Sequence, residues 1–211
     1  MNAQTEKRLI AGPAGQIECA LDRPAGEEMR GLALICHPNP TQGGTMDNKV
    51  VQTLARAFLQ LGFRTVRFNF RGIGQSEGAW DEGVGEIDDA QAVLDAVRQA
   101  DEPLVLAGFS FGGYVASRLD QRLMADPAQA AKRLVLVGPA TSRFDVAPTV
   151  PADTLVIHGE VDDVVPLTSV LDWARPQSLP VVVVPGVGHF FHGQLPLLKN
   201  LVTSSFSAFP V

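Results

Sequence analysis

The chain has 211 residues, of which 45% are hydrophobic and 19% charged, so a single core-forming domain over 1–211 is expected and disorder is excluded as its main state. Seventeen Lys and Arg against 23 Asp and Glu give a net charge of −6, which lacks the basic footprint that nucleic acid or anionic lipid requires. The two cysteines, Cys19 and Cys36, cannot make a disulfide framework, the first ten residues carry no signal-peptide core, and four prolines and two histidines interrupt the longest uncharged run, 176–198; a cytoplasmic chain with no membrane span is expected.

In chain order, residues 5–21, with Gly12-Pro13-Ala14-Gly15 at their centre, read as an antiparallel hairpin leading into a sheet. A run of apolar residues at 32–35 reads as a strand buried on both faces. A helix follows: Val50, Val51, Leu54, Ala55, Phe58 and Leu59 share one face, Lys49, Gln52, Arg56 and Gln60 lie opposite, and Asp47 or Asn48 is the N-cap. Residues 64–71 alternate, with apolar 66, 68 and 70 against polar 65, 67, 69 and 71, and by period alone form a half-exposed strand in which Arg67 needs a partner or an edge. Ala90, Val93, Leu94 and Val97 mark a second helix, with Asp88, Asp95, Arg98 and Gln99 towards solvent. Buried strands recur at 104–106, 134–137, 155–157 and 181–184. Strands alternating with helices predict an α/β fold, a mostly parallel sheet with helices on both faces.

The sharpest motif is Gly108-Phe109-Ser110-Phe111-Gly112-Gly113, which has a strand before it and a helical stretch from Tyr114 after it. That is the context of a nucleophile elbow, where a Cβ two residues either side of the serine would strike neighbouring backbone. The competing reading is a glycine-rich turn with a helix-capping serine. A serine hydroxyl needs a base and an orienting acid, which in this architecture follow in the order acid, then histidine, on loops after later strands. Glu160, Asp162 and Asp163 follow the strand at 155–157, and spacing alone does not separate them. Of the four histidines, His37 and His158 close buried strands and His192 falls where the C-terminal helix should begin, which leaves His189 in its glycine-flanked loop. The oxyanion would be held by backbone N–H groups, one from Phe111 and one from the loop after the first buried strand, where Pro38 and Pro40 have none and elimination selects Asn39.

Several stretches together resemble the bacterial small serine α/β-hydrolases related to dienelactone hydrolase. They are His37-Pro-Asn-Pro with residues 43–50, the segment 67–78 (RFNFRGIGQSEG), residues 108–114, His158-Gly-Glu-Val-Asp-Asp-Val-Val-Pro166, and His189-Phe-Phe-His-Gly193. The resemblance implies the α/β-hydrolase fold, Asp162 as the acid, Asn39 at the oxyanion position, and a place inside the sheet for the strand at 65–70. Pro38 stands where the wider superfamily has glycine.

Gly72-Ile-Gly74 and Gly83-Val-Gly85 do not complete a nucleotide-binding loop, and the His and Asp residues of 158–192 have no metal-ligand spacing, so neither cofactor nor metal is expected. Only residues 138–154 lie where lids commonly enter, so no cap domain is expected and the site should be shallow, with Met46, Ile73 and Phe190 among its substrate-facing residues. The expected reaction is hydrolysis of a small ester-type substrate (carboxylic ester, thioester or lactone) through an acyl-enzyme on Ser110. The alternatives are acyl transfer to another acceptor and a non-catalytic binding scaffold, and a homodimer is compatible with the sequence.

Overall fold

Runs of Val, Leu and Ile without alternation suit strands covered on both faces, and they build the centre of a sheet. The structure, a computed structural model, describes residues 5–26 and 29–207. Its strands are β1 (Glu6–Gly12), β2 (Gly15–Asp22), β3 (Gly31–Cys36), β4 (Phe63–Phe68), β5 (Leu104–Phe109), β6 (Arg133–Val137), β7 (Leu155–Gly159) and β8 (Val181–Val184). Its helices are α1 (Lys49–Gln60), α2 (Val84–Val97), α3 (Phe111–Leu123), α4 (Leu167–Ala174) and α5 (Leu195–Ser207). The strands form one sheet in the order β1-β2-β4-β3-β5-β6-β7-β8. The expected hairpin pairs β1 with β2, β2 joins β4 antiparallel, and all other neighbours are parallel.

Two cores result, one on each face. Val115 and Leu119 of α3, Ala90, Val93 and Leu94 of α2, and Val170 of α4 pack with Leu34, Leu106 and Leu136 on the first face. Val51, Leu54 and Phe58 of α1 and Leu198, Val202 and Phe206 of α5 pack with Ile35, Val105, Phe109 and Val137 on the second. Helix α1 starts as its sequence indicates: Asn48 is the N-cap, and its Oδ1 accepts from Val50 N at 2.9 Å, satisfying an orphan donor of the first turn.

Three expectations are corrected. The strand at 64–71 is not half exposed, because β4 lies between β2 and β3, and Thr65, Arg67 and Asn69 are all buried. Arg67 finds its partners inside: Nη2 reaches Asp22 at 3.2 Å, while Nη1 reaches Asp47 at 3.2 Å and donates to the Met46 carbonyl at 3.1 Å. The alternation therefore marks a polar network between β2 and the 37–48 loop, not a wet face. Residues 181–183 are only half-buried, because β8 is the last strand of the sheet. Helix α5 begins at Leu195, which leaves His192 in an exposed turn before it. No secondary structure element intervenes between β6 and β7, so no cap domain covers the sheet there.

Candidate active site

In a doubly wound sheet, side chains that meet ligands sit on the loops at the carboxyl ends of the strands. Asn39 follows β3, Ser110 follows β5, Asp162 follows β7 and His189 follows β8. Ser110 adopts φ 56° and ψ −117° between the last residue of β5 and the first of α3, a conformation that side chains rarely take. Its side chain makes no capping bond to α3, which removes the capping-serine reading. The flanking glycines are sterically required: a Cβ on Gly108 would lie 2.0 Å from Gly112 O, and one on Gly112 would lie 2.2 Å from Cys36 O. The second distance shows how closely the end of β3 approaches the start of α3.

Spacing left three acids open, and in the structure one of them reaches His189. Glu160 and Asp163 are exposed, whereas Asp162 is buried beside His189. His189 Nδ1 donates to Asp162 Oδ2 at 2.6 Å. Asp162 Oδ1 accepts from the backbone N–H of Val164 at 2.9 Å and of Val165 at 2.7 Å. Burial pushes the Asp162 carboxyl up, but the His189 and Val165 hydrogen bonds outweigh it and hold the group below the usual carboxylate range. The His189 ring is 3% exposed, lies 4.8 Å centroid to centroid from Phe109, and touches Phe190 edge-on at 5.1 Å. A Cβ on Gly138 would come within 3.3 Å of its Cε1, so the residue closing β6 is small where the imidazole packs.

Two further histidines, read from sequence only as strand ends, support this geometry. Burial pushes His158 below its ordinary value; its neutral ring donates from Nε2 to Val165 O at 2.9 Å and lies 3.5 Å from Asp162 Oδ2. His37 is fully buried, and desolvation, opposed by its bond to Pro38, drives its pKa to about 3. Phe70 N–H donates to its Nε2 at 3.0 Å, which leaves the ring proton on Nδ1, and Nδ1 donates to Pro38 O at 2.6 Å. The Pro38 carbonyl and the Asn39 N–H belong to one planar trans peptide, so His37 sets the direction of that N–H. A chain-order reading cannot find this role, since Phe70 is 33 residues away.

Asn39 O accepts from Gln42 N at 3.1 Å and Gly44 N at 3.0 Å, and its Oδ1 accepts from Thr41 N and Oγ1. Its own N–H donates to no acceptor among the described residues. Phe111 is the first residue of α3, where backbone N–H groups have no partner within the helix. Of the three expected substrate-facing residues, Phe190 is 42% exposed and Ile73 half-buried. Met46 is a correction: it is 1% exposed, held inward because its N–H donates to Asn69 Oδ1 at 2.9 Å and its carbonyl accepts from Arg67. A groove of about 520 Å³ opens beside His189, lined by Phe190, His192, Val164 and Pro185. Among the described residues no group of three or more His, Cys, Asp or Glu is placed to hold a metal ion, and no helix is long and apolar enough to cross a membrane.

Residues 27–151 match the family model described as serine aminopeptidase, S33. The chain is 36% identical to an α/β serine hydrolase without lid from Xanthomonas campestris, covering 100% of this chain and 98% of that one at a TM-score of 0.90. It is 42% identical to an α/β serine hydrolase homologue from Coxiella burnetii, over 94% and 96% of the two chains at a TM-score of 0.83. An uncharacterised protein of Rickettsia prowazekii is 31% identical over 85% of this chain and 79% of its own length. The sheet order, the strained serine between β5 and α3 and these similarities converge: the chain has the α/β-hydrolase fold without a cap domain and belongs to the S33 family of serine hydrolases.

Proposed function

We propose that this hydrolase cleaves small ester-type substrates, a carboxylic ester, thioester or lactone, through an acyl-enzyme on Ser110. The observation that carries the reading is the Ser110 turn, where a non-glycine residue at φ 56° presents a hydroxyl that caps nothing. Such strain is retained where it positions a reacting group. His189 Nε2 takes the proton from Ser110 Oγ as Oγ bonds the substrate carbonyl carbon. Asp162 holds the Nδ1–H tautomer that this requires and stabilises the imidazolium. The N–H groups of Asn39 and Phe111 receive the developing oxyanion, which a preorganised pair stabilises without rearrangement. His189 then returns the proton to the leaving group as its bond to carbon breaks, and water repeats the sequence to free the acid and regenerate Ser110.

A fluorophosphonate probe tests this reading. Labelling of the wild type at Ser110, with loss of both labelling and p-nitrophenyl acetate turnover in a folded Ser110→Ala variant, is the expected result. A variant that keeps wild-type turnover removes Ser110 as nucleophile, and a wild type that neither labels nor turns over esters makes the chain a non-catalytic scaffold.

A further inference from the structure

Resting on that reading, we infer that the acyl part of the substrate lies on Trp80 and Phe144 and that the chain acts on esters whose acyl group carries a flat aromatic ring. The tetrahedral carbon formed on Ser110 has four substituents. One is Ser110 Oγ, the oxyanion points to the Asn39 and Phe111 amides, and the leaving group must lie within reach of His189, which protonates it. The acyl substituent takes the direction that remains, away from His189.

The two directions correspond to opposite faces of the sheet. The His189 ring lies against Phe109, a member of the core packed under α1 and α5. Phe111, the residue after the nucleophile, belongs to the other core, and Trp80 and Phe144 are partly buried against that same core. Their rings meet over Phe111: the centroid of Trp80 lies 5.1 Å from it, that of Phe144 lies 4.8 Å from it, and the two outer rings are 6.4 Å apart at 79°. Phe111 itself is wholly buried. The accessible parts of Trp80 and Phe144 therefore form an aromatic surface next to the elbow, on the side away from the base.

The surface is held before any substrate arrives. In the loop carrying Trp80, Arg71 pairs with both carboxylate oxygens of Asp89 and donates to Gly85 O at 2.7 Å, while Glu86 accepts from Asp81 N at 3.0 Å and Gly83 N at 2.8 Å. In the other loop, Phe144 N–H donates to Ala140 O at 3.0 Å, and its ring stacks with Tyr114 at 5.4 Å and 30°. Without a cap domain, a flexible alkyl chain laid on this open face would lose rotamer freedom with no enclosure in return. A rigid ring loses little and gains offset or edge-to-face contacts with two fixed rings.

The test compares p-nitrophenyl phenylacetate with p-nitrophenyl hexanoate, which share a leaving group, with kcat/KM normalised to the hydroxide rate constant of each ester. The wild type is expected to favour phenylacetate about tenfold or more, the scale of aromatic contacts with two rings. Trp80→Leu and Phe144→Leu should each lower that ratio several-fold, and Trp80→Phe, which keeps a ring, should restore part of it; thermal melting confirms that each variant is folded. A ratio that none of these variants moves, or one that Phe190→Leu lowers in their place, overturns the inference and in the second case puts the acyl group on the His189 side. If Ser110→Ala hydrolyses both esters like the wild type, the serine-hydrolase reading fails first. If Ser110 is required and the ratio stays fixed, only the acyl-surface inference fails.

Discussion

Replacing Asp162 by Asn changes one atom, and the surroundings of that atom determine the outcome. The Val164 and Val165 N–H groups, at 2.9 and 2.7 Å, both demand an acceptor at the Oδ1 position. The amide oxygen must therefore stay there, and the NH₂ group falls where Oδ2 now lies, 2.6 Å from His189 Nδ1. An NH₂ only donates, so Nδ1 becomes the acceptor and the ring proton moves to Nε2, the nitrogen that must be free to accept from Ser110. Flipping the amide would restore the tautomer but face an NH₂ towards the Val165 N–H, which is buried, and the Val164 N–H, which is part-buried, at about 1–3 kcal/mol each. The two together cost about 2–6 kcal/mol, or roughly 30-fold to 10⁴-fold at 1.36 kcal/mol per decade. Loss of the charge that stabilises imidazolium adds to this, so a fall of about 10⁴ in kcat is expected. Asp163→Asn alters an exposed carboxylate and should stay within about twofold. Initial rates on one ester, with circular dichroism to show both variants folded, decide the matter. An Asp162→Asn enzyme within tenfold of the wild type, or a larger loss in Asp163→Asn, would refute the reasoning.

Three other outcomes follow from the same geometry. His37→Asn removes the grip on the Pro38 carbonyl and should lower kcat by up to about 10²–10³, the worth of one oxyanion donor, with a much smaller change in KM; equal kcat in a variant of unchanged melting temperature would show that the Asn39 peptide holds itself. Gly112→Ala drives a Cβ into backbone at 2.2 Å and should cost more than the ~1–3 kcal/mol of ordinary overpacking, whereas Gly43→Ala, at φ 80° with open space around it, should cost about 1–2 kcal/mol in urea unfolding, the strain of a left-handed backbone alone; similar midpoints for the two would contradict the steric account of the elbow. Asp120 is buried, and desolvation, reinforced by the charge of Asp153, raises its carboxyl to about 6. An acid whose folded value is raised contributes stability at low pH and loses it as pH rises through that value, so Asp120→Asn should stabilise the fold about 1 kcal/mol more at pH 8 than at pH 5, and a pH-independent gain in chemical denaturation would show that the carboxyl is not desolvated.

Features that depend on neighbours in the chain are legible in the residues themselves. Unbroken apolar runs indicate strands covered on both faces, and these became β3, β5, β6 and β7; the elbow is legible because its constraint, the clash of a Cβ on Gly108 with Gly112 O, falls within five consecutive residues. The order of serine, acid and histidine is legible for the same reason, since each follows its own strand. Features that depend on groups distant in sequence emerge only when the chain is folded. Period 2 at 64–71 implied a wet face because nothing local shows that Asp22 and Asp47 will surround Arg67. Spacing could not separate Glu160, Asp162 and Asp163, because what distinguishes them is contact with a histidine, which lies 27 residues from Asp162. The bond between His37 and Phe70, and the meeting of Trp80 with Phe144 over Phe111, exist only once separate loops converge at the carboxyl edge of one sheet. Local sequence sets backbone preferences and turn sterics; the direction of a buried proton and the partner of a buried charge are set by packing between segments far apart in the chain.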